Sequence, residues 1–177
     1  PLLSVSPTQI NFQVPFATAV GKASVVVTTG GVATPLKEVD VLAAAPGIFQ
    51  SAPNRAAVIN QDGTINSASR PATAGTVVSL YTTGAGAFST LLITGGTAPS
   101  TPIGRGGDFA GPVSVTIGGS PAEILYAGTA PGQASGLFQI NVRVPTARNS
   151  PVADLEVQVT INGQKSNTPL MTVITPI

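Results

Sequence analysis

The chain carries seven acids: Glu38, Asp40, Asp62, Asp108, Glu123, Asp154 and Glu156. Two pairs, Glu38/Asp40 and Asp154/Glu156, are spaced i, i+2. On a β-strand that spacing puts both carboxylates on one face. Two carboxylates flanking a glycosidic bond are the minimum for sugar hydrolysis. Here each pair alternates with Val or Leu, which is the pattern of a solvated strand face over a buried one. The rest of the catalytic inventory is thin. His and Cys are absent, so neither a Ser-His-Asp nor a Cys-His arrangement can be assembled. "GQASG" (132–136) holds its serine one place too late for a G-x-S-x-G elbow. "TGAGAF" (83–88) fits no nucleotide-binding loop, and "GRGGD" (104–108) is not an RGD motif. "NQDGTIN" (60–66) offers Asn60, Asp62, Thr64 and Asn66 at calcium-loop spacing, but with one carboxylate and no closing Glu. Its Asp-Gly step reads as a hairpin turn. The expectation is a protein that is not an enzyme and takes no cofactor and no metal.

Composition narrows the partners. Eight Lys+Arg against seven Asp+Glu give a formal net charge of +1, too little field to hold nucleic acid. Aromatic residues are 5% and Trp is absent, which weakens a base- or sugar-stacking surface. Tyr81, Tyr126 and Phe109 remain as candidates for a carbohydrate platform, although both tyrosines sit in strand patterns. No apolar run of about 18 residues occurs, so no transmembrane helix is expected. With Pro1 in first place, the chain reads as a processed or trimmed product. An uncharged Thr/Ser/Gly-rich surface suits an extracellular or cell-surface setting, and the lack of an N-x-S/T sequon suits a bacterial source.

Proline or glycine interrupts nearly every ten-residue window, and β-branched residues dominate between them, so helices are not expected. Short strands with period-two alternation recur at roughly ten-residue spacing, the signature of a β-sandwich. "QINFQV" (9–14) puts Ile10, Phe12 and Val14 on one face and Gln9, Asn11 and Gln13 on the other. Further strands are read at 22–29, 37–43, 76–84, 112–119, 122–128, 137–144, 154–163 and 170–174. "AAVIN" and "TIN" flank the 61–63 turn. Residues 87–111 are rich in Gly, Pro, Ser and Thr. They hold either a short strand at 90–94 or a loop with a role in assembly or binding.

The chain repeats itself. "QINFQVP" (9–15) and "QINVRVP" (139–145) match at five of seven positions. "ASVVVTTGG" (23–31) then parallels "LEVQVTING" (155–163), and "ATPLKEVDV" (33–41) parallels "NTPLMTVIT" (167–175). Three blocks in the same order make Pro1–Phe49 and Ile124–Ile177 related halves.

These residues also carry a resemblance. "AAAPGIF", "AAVINQDGTINSASRPATAGTVVSLYTTGAG" and "VSVTIGGSPAEILYAG", followed by "GLFQINVRVP", resemble a C-terminal domain of uncharacterised secreted proteins in Solibacter and related Acidobacteria. "VSPTQINFQVP" fits the same family. The second half is similar, more loosely, to immunoglobulin-like repeats of the IPT/TIG kind. The resemblance implies a non-catalytic module of secreted or surface proteins and transfers no site residues. In that family a "V-x-V-x-G-x-PA" strand precedes the "SPTQINFQVP" block, and this chain has none ahead of it.

The expected fold is therefore all-β: two immunoglobulin-like β-sandwich units, the N-terminal one incomplete. Residues 1–50 form the incomplete unit, 51–74 a linking hairpin, and 75–177 the C-terminal sandwich. Ile10, Phe12, Val14, Val25, Val27, Val39 and Val41 then form an apolar face that needs a cover. Three covers are conceivable: residues 50–72 folding back, the first unit packing on the second, or a strand from another subunit. The third predicts copies of the chain as partners, polymerising into a filament by β-strand complementation. Candidate donors are Pro1–Ser6, residues 87–111 and Met171–Ile177. The alternative reading is a surface-adhesion or carbohydrate-binding module at the end of a larger secreted protein.

Overall fold

The computed structural model describes residues 1–86, 92–99, 111–146 and 152–175, and among these the chain is all-β with no helix. The N-terminal part holds β1 (Leu2–Val5), β2 (Ile10–Phe12), β3 (Gly21–Val25), β4 (Thr28–Thr29), β5 (Val32–Ala33) and β6 (Lys37–Val41). Then follow β7 (Gly47–Ile48), β8 (Gln50–Ala52), β9 (Arg55–Ala56), β10 (Val58–Ile59), β11 (Ala72–Thr73) and β12 (Val77–Thr83). The last group is β13 (Val113–Ile117), β14 (Ser120–Pro121), β15 (Glu123–Thr129), β16 (Phe138–Arg143), β17 (Val152–Ile161), β18 (Gln164–Lys165) and β19 (Leu170–Ile174).

Residues from Ala44 onward build a β-sandwich. One sheet runs β10–β12–β16–β15, with β7 also on β12. The other runs β14–β13–β17–β19–β9–β8, with β11 on β19 and β18 on β17. Alternation decides which side chains meet. Val78 and Leu80 of β12 and Phe138, Ile140 and Val142 of β16 point inward from one sheet. Val115 and Ile117 of β13, Val157, Val159 and Ile161 of β17, and Met171 and Val173 of β19 face them from the other.

Segment 51–74, expected as a linker, contributes strands to both sheets. β10 pairs antiparallel with β12, while β9 and β11 pair parallel with β19. Two asparagines hold this arrangement. The buried Asn66 accepts the Thr172 N–H at 2.8 Å and donates to the Thr172 carbonyl at 2.8 Å. Its carboxamide thus takes the place of a neighbouring strand's peptide group. Asn167 does the same for Ile48, accepting its N–H at 2.7 Å and donating to its carbonyl at 3.0 Å. The Asn60–Thr64 turn is closed by backbone bonds and by Asp62 Oδ1, which accepts from the Thr64 N–H and hydroxyl. Asn60 and Asn66 are occupied with each other and with the backbone. The 60–66 stretch is therefore a turn, as its Asp-Gly step predicts.

Backbone closeness fixes Gly84, where the chain passes Ala45. The Ala45 N–H donates to the Gly84 carbonyl at 2.9 Å, and a Cβ on Gly84 would stand 1.8 Å from the Ala45 oxygen. At the expected 90–94 strand, Leu92–Thr94 forms no strand and leads into a turn closed from the Gly96 N–H to the Ile93 carbonyl. Positions 90 and 91 lie outside the described residues.

Asn66→Ala removes both backbone bonds and leaves the Thr172 groups buried and unpaired. We expect a loss of roughly 2–4 kcal/mol in urea unfolding. The solvent-exposed Asn167→Ala should cost less.

Candidate functional site

The internal repeat holds in three dimensions, strand by strand. β1–β2 reproduces β15–β16. Leu2 pairs Phe12, then after a bulge Ser4 pairs Asn11 and Val5 pairs Ile10. Ile124 pairs Val142, then after a bulge at the same place Tyr126 pairs Asn141 and Ala127 pairs Ile140. A side-chain bond recurs as well, Gln9 to Asn11 at 2.7 Å and Gln139 to Asn141 at 2.8 Å.

The second block repeats just as closely. Thr28 and Thr29 pair Ala33 and Val32, as Thr160 and Ile161 pair Lys165 and Gln164. Both turns are tight two-residue connections at positive φ, Gly30 at 56° and Gly31 at 80° against Asn162 at 49° and Gly163 at 77°. Such turns match the twist of the strands they join, and Gly and Asn tolerate that backbone. Val27 bonds Thr34 through N–H to hydroxyl (3.1 Å) and carbonyl to N–H (2.8 Å), and Val159 bonds Ser166 the same way at 2.9 and 2.8 Å. One sequence match shifts. β3–β6 registers Ala23 on Val39, and β17–β19 registers Leu155 on Met171. Val39 and Val41 therefore correspond to Met171 and Val173, two positions away from where the "TPL" triplets would align them. A two-residue slip preserves strand parity, so the apolar face is unchanged.

The two copies differ in what covers them. Ile140, Val142, Val144, Val157, Val159, Met171 and Val173 are all at most 1% exposed. Their counterparts are the seven residues of the expected assembly face: Ile10, Phe12, Val14, Val25, Val27, Val39 and Val41. None of these is buried, and Phe12 and Val14 are 48% and 52% exposed. Among the described residues β2 has β1 on one edge and no strand on the other, while β16 has both β15 and β12. Among the same residues β3 and β6 pair only with each other, while β17 also has β13, and β19 also has β9 and β11.

Of the covers expected within the chain, neither forms among the described residues. The strands of 51–74 go to β12 and β19. The N-terminal unit does rest on the sandwich, but through its polar side. Gln13 Oε1 accepts the Gly95 N–H at 2.7 Å, its side chain lies beside Gly136, and the Phe16 N–H donates to Thr94 Oγ1 at 3.2 Å. Two candidate donors are also engaged: Leu2–Val5 is β1, and Met171–Ile174 lies in the core as β19. Of residues 87–111, only 92–99 and 111 are described, and Phe109 and Asp108 fall outside. Sequence reasoning missed β1 as part of the face, although Leu2, Leu3 and Val5 are all exposed. The signal was the likeness of "LLSV" (2–5) to "ILYA" (124–127), which pair with their neighbours in the same register. Gln13 was missed too, because it replaces Arg143 at the matching position.

The carboxylates have structural partners. Lys22 Nζ meets Asp40 at 2.6 Å, Arg143 meets Glu123 at 2.9 Å, and Arg55 meets Asp154 at 2.9 Å. The Thr172 hydroxyl donates to Asp154 at 2.6 Å and accepts from Arg55. The hydroxyl first, and Arg55 second, hold the Asp154 carboxyl below its usual range. Among the described residues no three acids gather at a metal-binding distance. A shallow cleft of about 300 Å³ lies between Asn60–Asp62, Pro71–Thr73 and Thr76, with Asp62 as its single acid. Asp62 is committed to Thr64, which lowers its pKa. No helix among the described residues is long and apolar enough to cross a membrane. No family model matches the chain, and neither does any curated protein or solved structure.

Two outcomes follow. In dilute solution Val142→Ala should cost about 2 kcal/mol or more, and Phe12→Ala less than about 1 kcal/mol, both read by urea unfolding. Asp154 has a lowered folded pKa, so its contribution is full above the ordinary carboxylate range and is lost as pH falls through the lowered value. Asp154→Asn should flatten that acid limb in a melting-versus-pH series and lower stability at neutral pH.

Proposed function

We propose that this chain is a non-catalytic structural protein of the extracellular space or cell surface. It self-assembles by β-strand complementation on its N-terminal half-repeat, with head-to-tail growth into a filament as the extended form. One observation carries this reading: seven apolar positions are fully buried in the C-terminal copy, while in the N-terminal one Phe12, Val14 and Val39 are exposed and Ile10, Val25, Val27 and Val41 only half-buried. Full burial is worth roughly 1.5–3 kcal/mol per aliphatic or aromatic side chain. Several such gains, with ladder hydrogen bonds added, reach the scale of the ~4–15 kcal/mol cost of association. The acids favour a non-catalytic role, since Asp40, Asp62, Glu123 and Asp154 are tied up in local bonds. The secreted location draws on composition and on the resemblance to C-terminal domains of acidobacterial proteins.

A second reading has one observation behind it. Tyr81 and Tyr126 lie on the outer face of one sheet, with Gln139 and Asn141 between them by register. That grouping suits a carbohydrate-binding or adhesion module.

Sedimentation velocity and negative-stain imaging over a concentration series separate the two. Self-assembly predicts larger species that grow with concentration, and Phe12→Asp should return the chain to monomer with little change in melting. A wild-type monomer at every concentration that is nevertheless retained on insoluble polysaccharide would sink the assembly reading and favour the second.

A further inference from the structure

The geometry points to the outer edge of β2 as the acceptor for one extended segment, running antiparallel to β2 and carrying aliphatic side chains opposite Ile10 and Phe12. This rests on the uncovered face of the preceding reading and adds which edge is filled, in which direction, and by what side chains.

The template is the chain's own C-terminal copy. On the edge of β16 facing away from β15 lies β12, antiparallel, with Leu80 opposite Ile140 and Val78 opposite Val142. Directly opposite residues of an antiparallel pair share a face, so all four side chains enter the core. Beyond the strand, the Val144 N–H donates to the Thr76 carbonyl at 2.9 Å and the Gly75 N–H to the Val144 carbonyl at 2.8 Å. β2 matches β16 in sequence, in its partner strand, in its bulge and in its Gln–Asn side-chain bond. Its outer edge lacks, among the described residues, the strand that β12 supplies to β16. Val14, the counterpart of Val144, stands half exposed there. Gln13 and Phe16 are held by residues 94–95, and no strand among the described residues lies on the outer edge of β2. The occupant is thus an extended polypeptide with the inward pattern of β12, two aliphatics two residues apart like Val78 and Leu80.

The probe is a labelled peptide of residues 76–83 (TVVSLYTT) with flanking lysines for solubility, titrated into the intact chain. The expected result is saturable binding, slowed amide exchange at Ile10–Phe12, and a Kd weakened roughly tenfold or more by Phe12→Asp. A peptide with serine in place of the residues matching Val78 and Leu80 should fail to bind. No binding by the parent peptide, binding indifferent to Phe12→Asp, or protection elsewhere than β2 would overturn the inference. The two readings part cleanly. A chain that self-associates but ignores the peptide keeps the assembly reading and loses this edge. A chain that captures the peptide yet never self-associates keeps the edge and loses the assembly.

Discussion

A strand with one apolar face is at rest only when that face is covered, and each unpaired edge adds a row of open backbone donors and acceptors. Every other feature follows from how this chain meets that constraint at β16, β17 and β19 and leaves it unmet at β2, β3 and β6. In the sandwich, β19 shows how much is needed. Met171 and Val173 fill the core, β17 takes one edge, and β9 and β11 share the other. Thr172 points away from the core and is still buried, because Arg55, Asp154 and Asn66 close over it. In the N-terminal copy the same local geometry forms without these neighbours. Turn chemistry and register alone are enough to write the two-stranded pieces; only their burial is absent.

The contrast divides what a sequence can disclose from what it cannot. Alternation placed Ile10, Phe12 and Val14 on one face, and the Asp62–Gly63 step announced its turn, because both signals are local. The repeat was readable because two copies of one geometry keep the same side-chain demands. The role of residues 51–74 was not readable. Its strands are two or three residues long, and β9 and β11 run parallel to a strand about a hundred residues away. Asn66, whose carboxamide imitates a peptide group, ties them to Thr172 as Asn167 ties Ile48 just upstream, and no spacing rule separates either from any other turn asparagine. The "TPL" triplets misled for a related reason. Three identical residues outweigh register in an alignment, whereas in the sheet it is the Ala23–Val39 and Leu155–Met171 pairs that decide.

The candidate chemistry was absorbed by structure in the same way. The i, i+2 acids lie on solvated faces as their alternation implied, and Asp154 is spent on Arg55 and Thr172. Asp62, the single acid of the 60–66 stretch, holds its own turn together. What the sequence could not supply was exposure. A valine in a strand pattern reads the same whether covered or bare. Only the comparison of Val142 with Phe12, or Met171 with Val39, turns a pattern into a surface.

The way the half-repeat is attached gives that surface its direction. Gln9, Asn11 and Gln13 share the face of the strand opposite to Ile10 and Phe12, and it is Gln13 that docks, through the Gly95 N–H and against Gly136. Had the apolar face turned inward, Phe12 and Val14 would have been buried against the sandwich and no question would remain. A polar seat with few hydrogen bonds fixes orientation at low energetic weight, while the hydrophobic term, the larger one, stays unspent on the far side. Such a division leaves the apolar face of the half-repeat turned away from the sandwich that carries it.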